Sequence, residues 1–466
     1  MSATNRKVDP FTETTHGGAK AVRLTPKQQL ERSVMSCLLW ENEFYEEGIT
    51  IAERIKKLVA ECAPHEVADI AVIAKQHMKL RHAPLFLTRE LMRSKTGRTF
   101  LEMVIPEVIV RPDDITELLA MYLADNKTEK RGPSKLPNQL KRHLGFSFRK
   151  FDEYQLAKWR GEGKTVSLKD ALRMTHPVPL TGEQSLLWKK LLEGKLATPD
   201  TWEVAISAAK NKEEKRIAWE SLVTGNKLGG LAALRNLRNM REAGVEDSAI
   251  RALIKNIKPG RLLPINFITA AKHNPGFETQ LEEKFLECFT HKRKLPGKTI
   301  LIIDTSGSMR TTLSSRSELL RTDVAASLAM IGRELCEEPV IYCTAGNDGT
   351  RRHATMQIPA RRGFALKDYI GGHEVNSKIG GGGIFLVQCL EFIKQEQKYA
   401  DRIIVITDEQ DCDVSKNPQN ADAFGCRNYL INIANAKNGI GYGPKWTHID
   451  GWSDKVLDYI SLSEEQ

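Results

Sequence analysis

The feature that most constrains the fold is a change in hydrophobic periodicity near Leu295-Pro296. Upstream, apolar residues recur at the three- and four-residue spacing of amphipathic helices, as in IAERIKKLVAEC at residues 51–62. Downstream, β-branched apolar runs such as ILII at residues 300–303 alternate with helical patterns. The sequence therefore predicts an all-α region followed by an α/β domain.

The upstream region is a series of short amphipathic helices separated by Gly, Pro, Asp and Asn. Helices this short cannot bury their apolar faces in isolated pairs, whereas stacked hairpins bury a continuous core. We expect a flexible N-terminal arm over residues 1–22 and a HEAT-like helical repeat region over residues 23–291. Such a region offers a long curved surface suited to an extended polymer.

The downstream region, residues 292–466, alternates strands with helices. This order predicts a doubly wound, mainly parallel sheet with helices on both faces. HATMQIP at residues 353–359 is the expected edge strand.

A polar loop follows the first strand of this domain. It contains Asp304, Ser306 and Ser308, and Asp408 follows a later strand in VITDEQ. Ligands of open α/β sheets bind at the carboxyl ends of the strands, and carboxylate and hydroxyl oxygens suit Mg²⁺ or Mn²⁺. We therefore predict a divalent-cation site with these four residues as ligands.

Residues 127–176 hold thirteen Lys or Arg and five Asp or Glu, and aromatic residues are interleaved with them. Cations neutralise phosphates and flat rings stack on bases, so this composition favours a nucleic-acid surface. A solvated basic face with its aromatic residues in the core is the alternative. We expect Phe146, Phe148 and Phe151 to pack mainly in the core.

The formal net charge of +10 also favours a polyanionic partner. The eight cysteines form no CxxC pair, which indicates reduced core residues of a cytoplasmic protein. No run is long and apolar enough to predict a membrane span.

The loop after the first strand resembles the metal-ion-dependent adhesion site of von Willebrand factor A domains. Those domains add a threonine ligand from another loop, but the matching segment here, Ser377 to Ile384, has glycine at that position. The resemblance implies a Mg²⁺ or Mn²⁺ ion that captures an acidic group of a partner. Ser377 is the candidate to replace the threonine ligand, and a loop held by hydrogen bonds without an ion is the alternative.

Four segments together resemble the TROVE module, and the whole chain from about residue 20 resembles the Ro autoantigen type. The segments are LPNQLKRHLGFSFRKFDEYQLAKW, SLKDALRMTHPVP, GGLAALRNLRNM and LLPINFITAA. This resemblance implies a helical ring that the A domain closes. It also implies Y-like noncoding RNA on a basic outer surface and single-stranded 3′ ends of misfolded RNA in the hole.

The RNA-binding residues that we predict combine cations of the basic stretch with two arginines of a later helix. They are Lys135, Lys141, Arg142, His143, Arg149, Lys150, Lys158, Arg160, Lys164, Lys169, Arg173, His176, Arg235 and Arg238. Arginine can contact phosphate in a bidentate manner, and histidine can donate to phosphate or stack. Arg235 and Arg238 face either the hole or solvent.

We expect an RNA-binding component of a Ro-type ribonucleoprotein that acts in RNA quality control, maturation or degradation. The expected protein is monomeric apart from its RNA, with an exoribonuclease tethered through RNA as a further partner. The alternative is a protein-interaction scaffold that captures an acidic partner through the A-domain cation. We do not expect an enzyme, because the chain has no GxxxxGK[ST] phosphate loop. A two-metal site that includes Glu409, Asp411 and Asp413 is the remaining catalytic option.

Overall fold

The computed structural model describes residues 13–14, 20–35, 48–125, 136–313, 317–414, 424–434, 440–441, 445–450 and 456–465. Two compact units divide the chain: residues 55–227, and residues 1–54 together with 228–466. The predicted change from helices to an α/β arrangement is confirmed, and the first long strand begins at Leu295. The compact units nevertheless group the helices from residue 228 onward with this α/β part of the chain.

The N-terminal part of the second unit begins with two short strands and a helix. They are β1 (Glu13–Thr14), β2 (Lys20–Arg23) and α1 (Pro26–Met35). β2 pairs antiparallel with β1 and with a short strand near the C-terminus, β8 (Ile440–Gly441). The arm predicted over residues 1–22 therefore includes paired strand residues: β1 pairs with β2, and Val22 pairs with Gly441 from a distant part of the chain.

The described part of residues 55–227 is entirely helical and contains no strand. Helix α2 (Gly48–Glu61) begins just before this unit and continues into it. The other helices are α3 (Pro64–Gln76), α4 (His82–Leu91), α5 (Lys95–Arg98), α6 (Leu101–Val108), α7 (Pro112–Asp125), α8 (Asn138–Ser147), α9 (Glu153–Lys158), α10 (Leu168–Thr175), α11 (Gly182–Glu193), α12 (Trp202–Ala208) and α13 (Lys212–Thr224).

Local sequence explains where the helices of the basic stretch begin. The Asp152 side chain accepts the N–H of Gln155 at the start of α9. The Ser167 side chain accepts the N–H of Asp170 at the start of α10. Each cap satisfies a backbone donor that the first helical turn leaves unpaired. The short turns between the helices then pack α8 against α6 and α10 against both α7 and α8.

Four further helices precede the sheet in the second unit. They are α14 (Gly230–Ala243), α15 (Asp247–Asn256), α16 (Pro264–His273) and α17 (Glu278–Glu287). α14 packs on α15 and α16, and α17 packs on α15 and α16. Their apolar faces are buried, with Leu237, Ile250 and Leu281 completely inaccessible to solvent.

The main sheet has six strands in the order β5-β4-β3-β6-β7-β9, all parallel to their neighbours except the edge strand β5. The strands are β3 (Leu295–Asp304), β4 (Cys336–Asn347), β5 (Arg352–Gln357), β6 (Ala400–Thr407), β7 (Gly425–Asn432) and β9 (Thr447–Asp450). The flanking helices are α18 (Arg321–Leu335), α19 (Gly363–Ile370), α20 (His373–Ile379), α21 (Leu386–Gln397) and α22 (Val456–Glu465).

Burial on both faces explains the near-continuous apolar runs of the central strands. Ile300, Ile302 and Ile303 of β3 are fully buried, as are Ile403 and Val405 of β6. A parallel strand covered by helices on both sides must be apolar at successive positions. The predicted mainly parallel sheet, with its edge strand at β5, is therefore confirmed.

Candidate functional site

The order of the strands brings the two predicted acidic residues together. β3 and β6 are neighbours in parallel register, and Ile303 faces Ile406. Asp304 is the last residue of β3, and Asp408 follows the end of β6 directly. Both side chains are completely buried. We call this edge, defined by Asp304, Ser306, Ser308 and Asp408, the acidic crest.

Hydrogen bonds hold the Asp304 carboxylate in place. Its Oδ1 accepts the N–H of Ser306 at 2.8 Å, and its Oδ2 accepts the hydroxyl of Thr407 at 2.6 Å. Burial, together with the nearby charge of Asp408, raises the pKa of Asp304 to about 7. The hydroxyl oxygens of Ser306 and Ser308 lie 3.3 Å apart and share a hydrogen bond.

A buried arginine that the sequence did not single out faces the other acid of the crest. Nη1 of Arg321 lies 3.1 Å from Oδ2 of Asp408, and the two side chains are 1% and 0% exposed. Arg321 is the first residue of α18. No local pattern pairs these residues, since they are 87 positions apart.

The prediction of a cation with Asp304, Ser306, Ser308 and Asp408 as ligands stays a prediction. Among the described residues, no group of three or more His, Cys, Asp or Glu side chains could hold a metal ion. An adhesion-type site differs from such a group, since hydroxyls supply much of its ligand set.

The glycine-rich segment that replaces the expected threonine lies directly over the acidic crest. The N–H of Gly307 donates to the carbonyl oxygen of Gly382, and the N–H of Gly382 donates to Gly346. A Cβ atom on Gly382 would lie 2.7 Å from the carbonyl oxygen of Gly346. A larger residue therefore does not fit at this position without movement of the backbone.

The basic stretch forms a surface on the unit of residues 55–227, and one part of it centres on Phe146. Arg142, Phe146 and Arg149 are spaced i, i+4 and i+7 and lie on the same side of α8 and its following turn. The Phe146 ring is 41% exposed. The guanidinium carbons of Arg142 and Arg149 lie 5.5 Å and 4.6 Å from its centre.

The expectation that Phe146, Phe148 and Phe151 are core residues is correct for two of the three. Phe148 is fully buried and Phe151 nearly so, whereas Phe146 is exposed. The alternation of charged and apolar residues along α8 could have identified Phe146 as an exposed residue, because Leu140 and Leu144 occupy the opposite, buried face.

His176 lies beside this group of residues. It ends α10 in the left-handed conformation, with φ of 47°, and its ring is exposed. The next residues approach α8: Nη2 of Arg149 donates to the carbonyl oxygen of Val178 at 2.8 Å. We call Arg142, Phe146, Arg149 and His176 the Phe146 cluster.

Two other predicted RNA contacts near the Phe146 cluster have distinct environments. The edge of the His143 ring faces Phe146, with ring centres 6.3 Å apart, and burial lowers the pKa of His143. Nζ of Lys150 donates to the carbonyl oxygens of Pro106 and Ile109, and burial lowers its pKa. Lys150 therefore supplies a hydrogen-bond donor to backbone carbonyl groups at the C-terminal end of α6. Its position in the sequence did not indicate this contact.

A second group of cations lies at the other end of α10. The Leu168 N–H donates to the carbonyl oxygen of Arg160, which ties the loop holding Lys164 to the start of α10. Nζ of Lys158 lies 5.8 Å from the centre of the Trp159 ring. With eight residues, α10 separates this group from His176 by about 12 Å. We call Lys158, Arg160 and Lys164 the loop cluster.

The remaining predicted RNA contacts are distributed over several elements. Lys141 is half-buried on α8, and Lys169 and Arg173 lie on α10 between the two clusters. Lys135 lies outside the described residues.

Arg235 and Arg238 belong to the other compact unit. They line a cavity of about 570 Å³ together with Asn239, Asn266 and His273. Their side chains are exposed, and the cavity is open to solvent. That they face the hole of a ring stays a prediction.

The fold and these sites define a class: helical proteins that carry a basic surface and an α/β domain of the A type. Comparison with known proteins agrees. The TROVE domain family matches residues 184–319. The crystal structure of the Deinococcus radiodurans Ro (RSR) protein has a TM-score of 0.58 with 15% identity, covering 93% of this chain and 99% of that one. Part of the chain therefore matches the TROVE domain family, and the chain has the fold of a Ro protein.

The other comparisons add no further relationship. An aerotolerance-related membrane protein from Bacteroides fragilis has 12% identity and a TM-score of 0.25, covering 36% of this chain and 98% of that one. No curated protein matches the sequence. No helix among the described residues has the length and apolar character needed to cross a bilayer.

Proposed function

We propose that this chain is the RNA-binding component of a Ro-type ribonucleoprotein. The observation that carries the proposal is the exposed Phe146 ring with the guanidinium groups of Arg142 and Arg149 close to it. A ring held in this way offers a face on which an unpaired base stacks, while the arginines contact the adjacent phosphates. Structured RNA with an unpaired loop fits both requirements.

The two basic clusters suit one RNA that contacts both ends of α10. The loop cluster supplies point charges and the Phe146 cluster supplies a stacking surface with a histidine beside it. We propose Y-like noncoding RNA as the ligand of this surface, as the family resemblance implies. The 12 Å or so between the clusters is compatible with contacts to phosphates several nucleotides apart.

Single-stranded 3′ ends of misfolded RNA are the second ligand that we propose. The cavity beside Arg235 and Arg238 supports this assignment, since its lining includes these two cationic side chains and several amides, beside leucines and Glu318, and it is open to solvent. As the family resemblance implies, we also propose roles in RNA quality control, maturation or degradation and an exoribonuclease tethered through RNA.

We propose that the protein performs no RNA chemistry itself. The acids that a two-metal site would use already have partners. Oε1 of Glu409 lies 3.0 Å from Nδ1 of His448. Asp411 accepts hydrogen bonds from backbone N–H groups, and Asp413 accepts one from the side-chain amide of Gln388. Carboxylates engaged in this way are not arranged to bridge two metal ions. Incubation with labelled RNA and Mg²⁺ should leave the RNA intact, and chain cleavage would contradict the proposal.

The decisive experiment is RNA binding as a function of salt, with fluorescence anisotropy of a labelled stem-loop carrying a free 3′ tail. Several phosphate contacts produce a steep fall of log affinity with log salt concentration. Replacing Lys141, Arg142, Lys164 and His176 together by alanine should weaken binding strongly and leave folding nearly unchanged.

A matched control uses exposed lysines elsewhere in the same unit. Alanine at Lys189, Lys212 and Lys215 removes the same number of formal positive charges as the quadruple variant, with His176 neutral. Binding that falls equally in both variants would show that net charge, and not this surface, is responsible. Unchanged binding in the quadruple variant would place the RNA site elsewhere.

The competing hypothesis is a scaffold that captures an acidic partner through a cation at the acidic crest. It requires capture that chelator abolishes and that the Asp304→Ala variant loses, while RNA binding survives. Pull-downs that are unaffected by both would remove its mechanism.

A further inference from the structure

The side chain of Arg321 occupies the place where charge compensation is needed at the acidic crest. Its guanidinium faces Oδ2 of Asp408 at 3.1 Å, and both groups are shielded from solvent. A carboxylate buried this deeply needs a nearby positive charge or it takes up a proton. Arg321 supplies that charge permanently, because a guanidinium does not lose its proton in proteins.

The side-chain oxygen atoms of Asp304, Ser306 and Ser308 are bonded to groups of the chain. Both carboxylate oxygens of Asp304 accept hydrogen bonds, from the N–H of Ser306 and the hydroxyl of Thr407. The hydroxyls of Ser306 and Ser308 bond to each other. These atoms are the ones that an adhesion-type cation would require as ligands.

The segment over the crest also leaves no room for the missing ligand. A side chain at Gly382 would meet the carbonyl oxygen of Gly346, and one at Gly383 would overlap Cys412. The absence of threonine is therefore built into the packing of this loop. The donor set as a whole fits a divalent cation poorly, since an ion there would also face the buried charge of Arg321.

We infer that Arg321 takes the place of a divalent cation at the acidic crest, where its fixed charge compensates the carboxylate of Asp408. The domain then folds without metal, and any partner it binds is recognised in a way that chelator does not disturb. This inference concerns the A domain alone and is independent of RNA binding.

The primary test measures Mn²⁺ binding to the full-length protein by electron paramagnetic resonance, which detects free Mn²⁺ directly. The wild type should show no stoichiometric binding at the crest, and its melting temperature should be the same in MgCl₂ and in EDTA. Stoichiometric Mn²⁺ binding that the Ser306→Ala/Ser308→Ala double variant loses would overturn the inference, whether or not any arginine variant folds.

Removing the arginine should create the metal dependence that the wild type lacks. In Arg321→Ala the two carboxylates have no buried guanidinium beside them, so we expect a lower melting temperature that Mn²⁺ raises again. Its Mn²⁺ affinity should exceed that of the wild type by about tenfold or more. No gain in Mn²⁺ affinity in a folded Arg321→Ala protein would count against the inference.

The matched control is Arg310→Ala. Arg310 is exposed in the same loop region, and its guanidinium donates to Asn376 and not to Asp408. This variant should bind no more Mn²⁺ than the wild type. A gain equal to that of Arg321→Ala would show a general effect of charge, and would contradict the specific role of the buried pair.

Discussion

The guanidinium carbon of Arg149 lies 4.6 Å from the centre of the Phe146 ring, and the same guanidinium donates to the carbonyl oxygen of Val178. This arrangement fixes the arginine between an exposed aromatic ring and the segment that follows His176. A cation above an aromatic face stabilises the orientation of both groups. The Phe146 ring is thus held with its surface available to solvent.

Replacing Phe146 by alanine should weaken binding of RNA with an unpaired loop by roughly 5- to 150-fold, because base–aromatic stacking contributes about 1–3 kcal/mol. The free energy of unfolding should change little, since the ring is exposed. Fluorescence anisotropy with a labelled stem-loop measures the effect. The control is Tyr154→Ala, an exposed aromatic on α9 of the same unit. An equal loss in both variants would contradict a specific stacking role.

Replacing Lys164 by alanine should weaken RNA binding to a similar extent for all sequences. Each lost phosphate contact should reduce the slope of log affinity against log salt by about 0.7–0.9. The control is Lys212→Ala, an exposed lysine on α13. A slope that stays at the wild-type value in Lys164→Ala would exclude this residue from the phosphate contacts.

Replacing Glu464 by glutamine should destabilise the unit that contains the sheet by about 3 kcal/mol, because it leaves the buried Arg402 charge without its partner. Nε of Arg402 donates to Glu464 at 2.9 Å, and the arginine also donates to Pro296 and Thr299 at the start of β3. Urea denaturation measures the change.

The matched control for this prediction is Glu213→Gln. That carboxylate pairs with Arg216 on the surface of α13, where solvent screens the pair and its loss should change stability little. Similar losses for the two variants would show that burial of the Arg402 pair has no energetic consequence.

The stability of the A-type domain should decrease between about pH 4 and pH 7. Burial raises the pKa of the Asp411 carboxyl to about 7, whereas an aspartate in the unfolded chain titrates near 3.9. The folded state therefore binds the proton more tightly than the unfolded chain does. The stabilisation that this proton gives the folded state is complete below the unfolded pKa and is lost as the pH rises through 7. The slope for one such group is at most about 1.4 kcal/mol per pH unit.

Asp411→Asn should reduce this decrease but not abolish it, because Asp304 titrates in the same range. Denaturant unfolding at pH 5, 6.5 and 8 compares the variants. Asp170→Asn is the control: hydrogen bonds from Ser167 lower the pKa of Asp170, so it contributes nothing to a decrease above pH 5. A wild type whose stability is constant over this range would refute the prediction.

Periodicity and turn chemistry were sufficient to predict the order of the elements. The apolar runs of β3 and β6, the capping residues Asp152 and Ser167, and the polar loop at Asp304 are all local signals. Local signals also place Asp304 and Asp408 at strand ends, and the rule that carboxyl ends of parallel strands share one edge brings them together. The composition of the basic stretch likewise indicated a cationic surface.

Other features depend on which distant segments come into contact. Phe146 is exposed because α8 directs Leu140 and Leu144 toward the neighbouring helices. In composition alone, Phe146 looks the same as Phe148 and Phe151. Arg321 and Asp408 are 87 residues apart in the sequence. They meet only because α18 follows β3 and because β6 lies beside β3 in the sheet. Sequence by itself determined the helical and α/β parts and the positions of their charged residues, because hydrophobic patterns act locally. The tertiary structure alone decided which charges are buried, paired or exposed, because desolvation depends on the neighbours that folding brings together.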